Sequence, residues 1–241
     1  MLRLESIFFA FSLCCLLQAE DAAPTPAVEK IGEHRYRLAE IEFDASTREV
    51  SMPVTVNMRE GGPLEYVLVH EKGKVHESIF VTDVSPHDLQ VILKLVKYNA
   101  GSGDAFNKLL RPEDIEKEGG KEDDRGASVT FSFLPDGGKE IAVASTVIDG
   151  IEGVPMDNGG WIFTGSRVER GDFMADIEGS IIAIYLDSNA MFNMTRPGAD
   201  NDEQWGANDE LIPEIGTKGT LLIRPVGVDE PMKSAAPNVN K

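Results

Sequence analysis

Residues 64–82 read LEYVLVHEKGKVHESIFVT, and the fold turns on how this stretch is folded. Two apolar, β-branched runs flank Lys72-Gly73, a pair that suits a tight turn. The simplest reading is an antiparallel hairpin in which Glu71 pairs with Lys74. Val69 would then oppose His76, Val67 would oppose Ser78, and Glu65 would oppose Phe80. Because successive strand residues point to opposite faces, His76, Ser78, Glu65 and Val67 would share one face, with Glu77 on the other. Three polar residues inside a strand need a reason, either a site or a satisfied polar network. In this register His76 and Glu77 cannot hold one metal ion. A Ser78–His76–acid relay is also strained, since alternate Cβ atoms on a strand stand ~6.5–7 Å apart. Glu77 on an apolar face requires a partner, for which Arg167, Arg196 and His70 are the candidates.

Upstream, Tyr36–Phe43 and Glu49–Asn57 read as strands around Ala45-Ser46-Thr47-Arg48. Val50, Met52, Val54 and Val56 alternate with polar residues, the period of a half-buried strand, and Pro53 points to an edge or a bulge. Downstream, Ser85-Pro86-His87-Asp88 is a helix start, with Ser as N-cap and Pro at the first position. Leu89, Ile92, Leu93 and Val96 form its buried stripe, and Asn99-Ala100-Gly101 stops it. Residues 102–126 carry no decisive pattern. A short helix through Phe106 and Leu110 is one reading, and Glu113–Asp124 reads as an exposed acidic excursion. Ser128–Phe133 with Lys139–Ser145, and Trp161–Arg167 with Phe173–Asp176, read as hairpins. Ser180–Tyr185 is a buried strand and Thr220–Arg224 a closing one. The sum is an α+β, mainly antiparallel β fold: a hairpin-rich sheet or sandwich with one clear helix near 86–98.

A second candidate stretch is Asn193–Trp205, NMTRPGADNDEQW. Arg196-Pro197-Gly198 forms a turn, and Asp200, Asp202 and Glu203 follow with no cation beside them. Acidic loops of this kind suit calcium or another divalent cation, although Trp205 stands where an EF-hand loop requires Gly. Asn193-Met194-Thr195 matches a glycosylation sequon. Arg196 and Trp205 join His76, Glu77 and Ser78 as candidate ligand-binding residues, and Asp200, Asp202 and Glu203 are the metal candidates.

The net charge is −18 over 241 residues. Such a surface repels phosphates, which argues against a nucleic-acid partner. Ile7–Leu17 is an apolar run flanked by Arg3 and by Ala19-Glu20-Asp21, the layout of a secretory signal with cleavage after Ala19. It is shorter than the ~20 apolar residues of a membrane span, so no stable membrane insertion is expected after cleavage. Both cysteines, Cys14 and Cys15, lie inside it, so the mature chain is expected to form no disulfide or Cys-ligated centre. Residues 20–28 read as a linker, 29–226 as one domain and 227–241 as a disordered tail.

LEYVLVHEKGKVHESIFVT, VSPHDLQVILKL, GGWIFTGSRV with GDFMADIEGSIIAI, and NMTRPGADNDEQW together resemble the YdjY-like domain of bacterial exported proteins, over roughly residues 30–225. The passage around 99–126 is longer than is usual for that family. The resemblance implies a secreted or periplasmic location and transfers no catalytic residue. A ferredoxin-type label borne by some such proteins does not fit a chain without mature cysteines. The leading expectation is an exported protein that binds a small molecule or an envelope protein, with a divalent cation as its one cofactor candidate. The rivals are a metal- or His-dependent hydrolase and a structural envelope protein.

Overall fold

A short β1 (Glu29–Lys30) leads into β2 (Arg35–Leu38), β3 (Ile41–Asp44) and β4 (Val50–Val56), an antiparallel meander. The structure, a computed structural model, describes residues 27–101, 125–156 and 160–227. The strand expected over Tyr36–Phe43 is broken at Ala39-Glu40, where Ala39 adopts a φ of 50° and turns the chain. β4 keeps its alternation, with Val50, Met52, Val54 and Val56 buried.

The Leu64–Thr82 hairpin does not form. β5 (Tyr66–His70) and β6 (Ser78–Thr82) run parallel, with Tyr66 beside Ser78, Leu68 beside Phe80 and His70 beside Thr82. The Lys72-Gly73 turn is present, closed by the Gly73 N–H donating to the His70 carbonyl at 2.8 Å. It leads into a single 3-10 turn over Val75–Glu77 that carries the chain back across β5. The sequence held a signal for this: both strands are apolar at nearly every position, and strands buried on two faces lack alternation. α1 (Pro86–Leu95) then starts as expected, with the Ser85 hydroxyl accepting from the Asp88 N–H and Leu89, Ile92 and Leu93 buried. Arg48 donates to the carbonyls of Val96 and Lys97, at 2.9 and 2.8 Å, and closes its C-terminal end.

β7 (Ser128–Pro135) and β8 (Ile141–Ala142) form the expected hairpin, but its second arm stops at Ala142, where Val143–Thr146 winds into a 3-10 turn. A small side sheet contains β9 (Val147–Asp149) and β10 (Val154–Pro155). β11 (Trp161–Phe163) is followed by a two-residue-armed hairpin, β12 (Val168–Glu169) and β13 (Asp172–Phe173), and by the five-residue α2 (Met174–Glu178) where strand was expected. β14 (Ser180–Ala183) and β15 (Phe192–Met194) are again parallel, joined by residues 184–191. β16 (Trp205–Ala207) completes the side sheet, and β17 (Lys218–Pro225) is the closing strand.

Eight strands form a closed ring: β4, β17, β7, β11, β15, β14, β5, β6 and back to β4. The fold is therefore β-rich with one clear helix, and its sheet is a barrel rather than a plain sheet or sandwich. Eight strands enclose a space that side chains can fill. Aromatic rings fill it here: Phe131 lies 5.2 Å from Phe192 and 5.6 Å from Trp161, and Phe80 lies 4.8 Å from Phe133. Pro53 sits within the ring, not at an edge. It falls where one side of β4 changes partner, between Ser51 paired to β3 and Thr55 paired to β6.

Removing the central ring should be costly. Phe131→Ala is expected to lower unfolding free energy by about 3–5 kcal/mol, measured by chemical denaturation, whereas Ser85→Ala should lose about 1 kcal/mol through its cap.

Candidate functional site

Because residues 75–77 form a 3-10 turn, the face assignments made for a hairpin do not hold. His76 is exposed, and its Nε2 lies 3.4 Å from a carboxylate oxygen of the neighbouring Glu77. The two residues expected to point apart are thus in contact, because a helical turn does not alternate faces. The other Glu77 oxygen is buried and accepts no hydrogen bond. Ser78 is fully buried, and its hydroxyl donates to the Phe80 carbonyl of its own strand at 2.8 Å. Glu65, expected near this pair, is held instead by Lys74 at 3.0 Å. His76 and Ser78 therefore do not form a base–nucleophile pair. Asn57 fixes the turn by donating to the carbonyls of Val75 and Ser78, at 2.6 and 2.8 Å.

In the 193–205 stretch, Asn193 is buried, and its side chain donates to Thr164 Oγ1 and the Asp187 carbonyl, at 2.9 and 3.0 Å. The sequon is inaccessible in the folded chain. Arg196 is half-buried and packs against Gly160, where a Cβ would stand 2.9 Å from Arg196 Nε. Asp200, Asp202 and Glu203 are all exposed. Among the described residues no group of three His, Cys, Asp or Glu side chains is gathered as a metal site. Trp205 is buried, with its ring N–H donating to the Gly198 carbonyl at 3.0 Å. Its own carbonyl accepts from the Leu64 N–H at 2.9 Å, so the two candidate stretches meet there through a backbone hydrogen bond.

Two groupings that the sequence reading missed are more informative. The first is built on Tyr66, which is buried beneath both crossing connections. Lys74 of the first connection lies 5.3 Å from its ring, and Asp187 of the second accepts from its hydroxyl at 2.9 Å. Tyr66, Val69, Ala183 and Ala190 make a small core outside the barrel. Gly73 and Gly179 seat the first connection: a Cβ on Gly73 would stand 2.9 Å from the Glu178 carbonyl, and Gly179 has a φ of 72° as it closes α2. Burial, reinforced by Asp187, pushes the Tyr66 phenol up to about 12. With its partners satisfied and its proton held tightly, this cluster is built to rivet the two connections together.

The second grouping is the outer face of β2, β3, β4 and β17, continued onto the end of β6 and the loop residues Glu40, Glu71, Asp83 and Asp136. Three adjoining depressions of about 500, 590 and 410 Å³ run across it. The first two share Arg35, Glu42, Glu49 and Ser51, and the last shares Glu40, Pro53 and Thr220 with its neighbour. Charged and hydroxylic side chains predominate in their linings, with apolar residues such as Phe43, Met52, Leu222 and Val81 between them. Glu42 accepts from both Arg35 and Arg37, and the Arg37 hydrogen bond holds its carboxyl below the usual range despite burial. Arg224 binds Glu49 and Glu140. It also depresses the Glu140 carboxyl, chiefly through their hydrogen bond. Alternation in β4 showed that Ser51, Pro53 and Thr55 face outward. That Arg224 and Glu49 share a surface is a contact between residues far apart in sequence, which no local pattern reveals.

Compared with known proteins, the chain matches no family model, no curated protein and no solved structure.

The Tyr66 rivet has a signature in pH. A phenol raised in the fold stabilises it fully below its unfolded pKa of about 10 and loses that contribution as pH climbs toward 12. The wild-type chain should lose stability over this alkaline window. Tyr66→Phe should be less stable by about 1–2 kcal/mol at pH 7 but fall less steeply above pH 10, as followed by denaturation at each pH.

Proposed function

We propose that this chain is an exported binding protein of the YdjY-like kind whose ligand site is the outer face of β2, β3, β4 and β17. One observation carries the reading: three depressions join into a groove that, among the described residues, lies open across β2, β3, β4 and β17 and reaches the end of β6 and Glu71. The lining favours a polar occupant. Small-molecule pockets are mostly apolar with a few polar groups, whereas this groove presents carboxylates, guanidinium groups and the hydroxyls of Ser51, Thr55 and Thr220. A partner surface fits such a lining better than a small molecule does. The hydrolase reading gains no support from His76 and Ser78, which are not in contact, and the cation reading gains none from the exposed Asp200, Asp202 and Glu203.

Two experiments test this. Backbone amide shifts of the mature chain are followed during titration with octalysine, octaglutamate and maltoheptaose. At least one probe is expected to move the amides of Ser51, Thr55 and Thr220, and Ser51→Trp, which fills the wall shared by two depressions, should abolish the effect with the barrel intact. Silence of those amides towards all three probes overturns the assignment. Separately, intact mass of the exported chain should correspond to residues 20–241. A mass that includes residues 1–19 would make the segment a retained anchor.

A further inference from the structure

Resting on that reading, we infer that the occupant of the groove is an extended, positively charged segment of a protein partner. The depressions follow one another across four strands and stay open, so they suit a chain laid along the surface more than a compact molecule. Next is the balance of charge. The cations of the first two depressions are already spoken for: Arg35 and Arg37 by Glu42, and Arg224 by Glu49 and Glu140. An acidic ligand would have to break those pairs.

The third depression differs. Glu40, Glu71, Asp83 and Asp136 line it together with Lys218. All five residues are exposed, and no side-chain hydrogen bond or ion pair within the described residues engages the four carboxylates. Among the described residues, this end of the groove therefore sets four carboxylates against the one ammonium of Lys218, beside the hydroxyls of Thr55 and Thr220. Lysine or arginine side chains on an extended segment complement it, and the hydroxyls of Thr55 and Thr220, beside Lys218 and Pro53 on the paired strands, offer hydrogen bonds to that segment's backbone. The overall charge of −18 draws such a partner in from a distance.

The test uses the mature full-length chain and octalysine as probe, followed by amide shifts and by fluorescence anisotropy of labelled peptide. Octalysine is expected to move Thr55 and Thr220 and to bind more weakly as salt rises. Neutralising two exposed carboxylates of the groove, Glu40→Gln with Glu71→Gln, should weaken it at least tenfold. Neutralising two carboxylates of the 193–205 stretch, Asp200→Asn with Asp202→Asn, changes the net charge equally and should leave affinity within twofold. Equal weakening by both pairs would reduce the effect to bulk charge and overturn the inference. So would unchanged affinity in the groove variant. If octaglutamate or maltoheptaose moves the groove amides and octalysine does not, the binding reading stands and the cationic occupant falls. If none of them does, both fall.

Discussion

Two neighbouring strand pairs in this barrel are parallel, and a parallel neighbour cannot be reached by a tight turn. The chain must travel back along the strand it has just made before it can begin the next. It does so over residues 71–77 and again over 184–191. Each return lies along the strand it follows, and β5, β6, β14 and β15 are buried at every position but His70 and Val81. That single topological requirement explains the apolar runs, the small outer core around Tyr66, and the use of a buried phenol as the post on which Lys74 and Asp187 both close. It also covers one side of the molecule, and the groove runs from the other side to its margin at Glu71 and Thr82.

The division accounts for which parts could be read in advance. β4 alternates because one face meets the core and the other meets water, and α1 begins at Ser85 because capping chemistry is local. The hairpin assignment failed for a different reason. Turn residues at 72 and 73 determine that the chain reverses, and they do so here, but they do not determine which strand it joins. The near-continuous apolar character of VLV, SIFV and SIIAI was the evidence for two-sided burial. It was outweighed by a turn whose residues suit a hairpin equally well.

The candidate residues fared according to the same logic. His76, Glu77 and Ser78 were singled out because polar side chains looked misplaced in a strand. Two of them are in a turn, and the third satisfies its own strand. The polar groove could not be found this way. Its elements are ordinary polar residues of β2, β3, β4, β17 and the adjoining loops, unusual only in being assembled on one surface. The Arg224 pairs with Glu49 and Glu140, and the Arg35–Arg37–Glu42 cluster, organise that surface while leaving its far end unbalanced in charge.

Pro53 gives this arrangement its hinge point. Its carbonyl accepts from the Thr82 hydroxyl at 2.7 Å, so the ring nitrogen lies along the margin that β3 and β6 divide between them, and proline has no hydrogen to offer there. The meander cannot zip further along β4, nor can β6 extend the other way. The wall forks at this residue, and two of the three depressions include it. The cleft proposed as a recognition surface thus straddles a backbone position with no amide hydrogen, at the seam where the sheet divides.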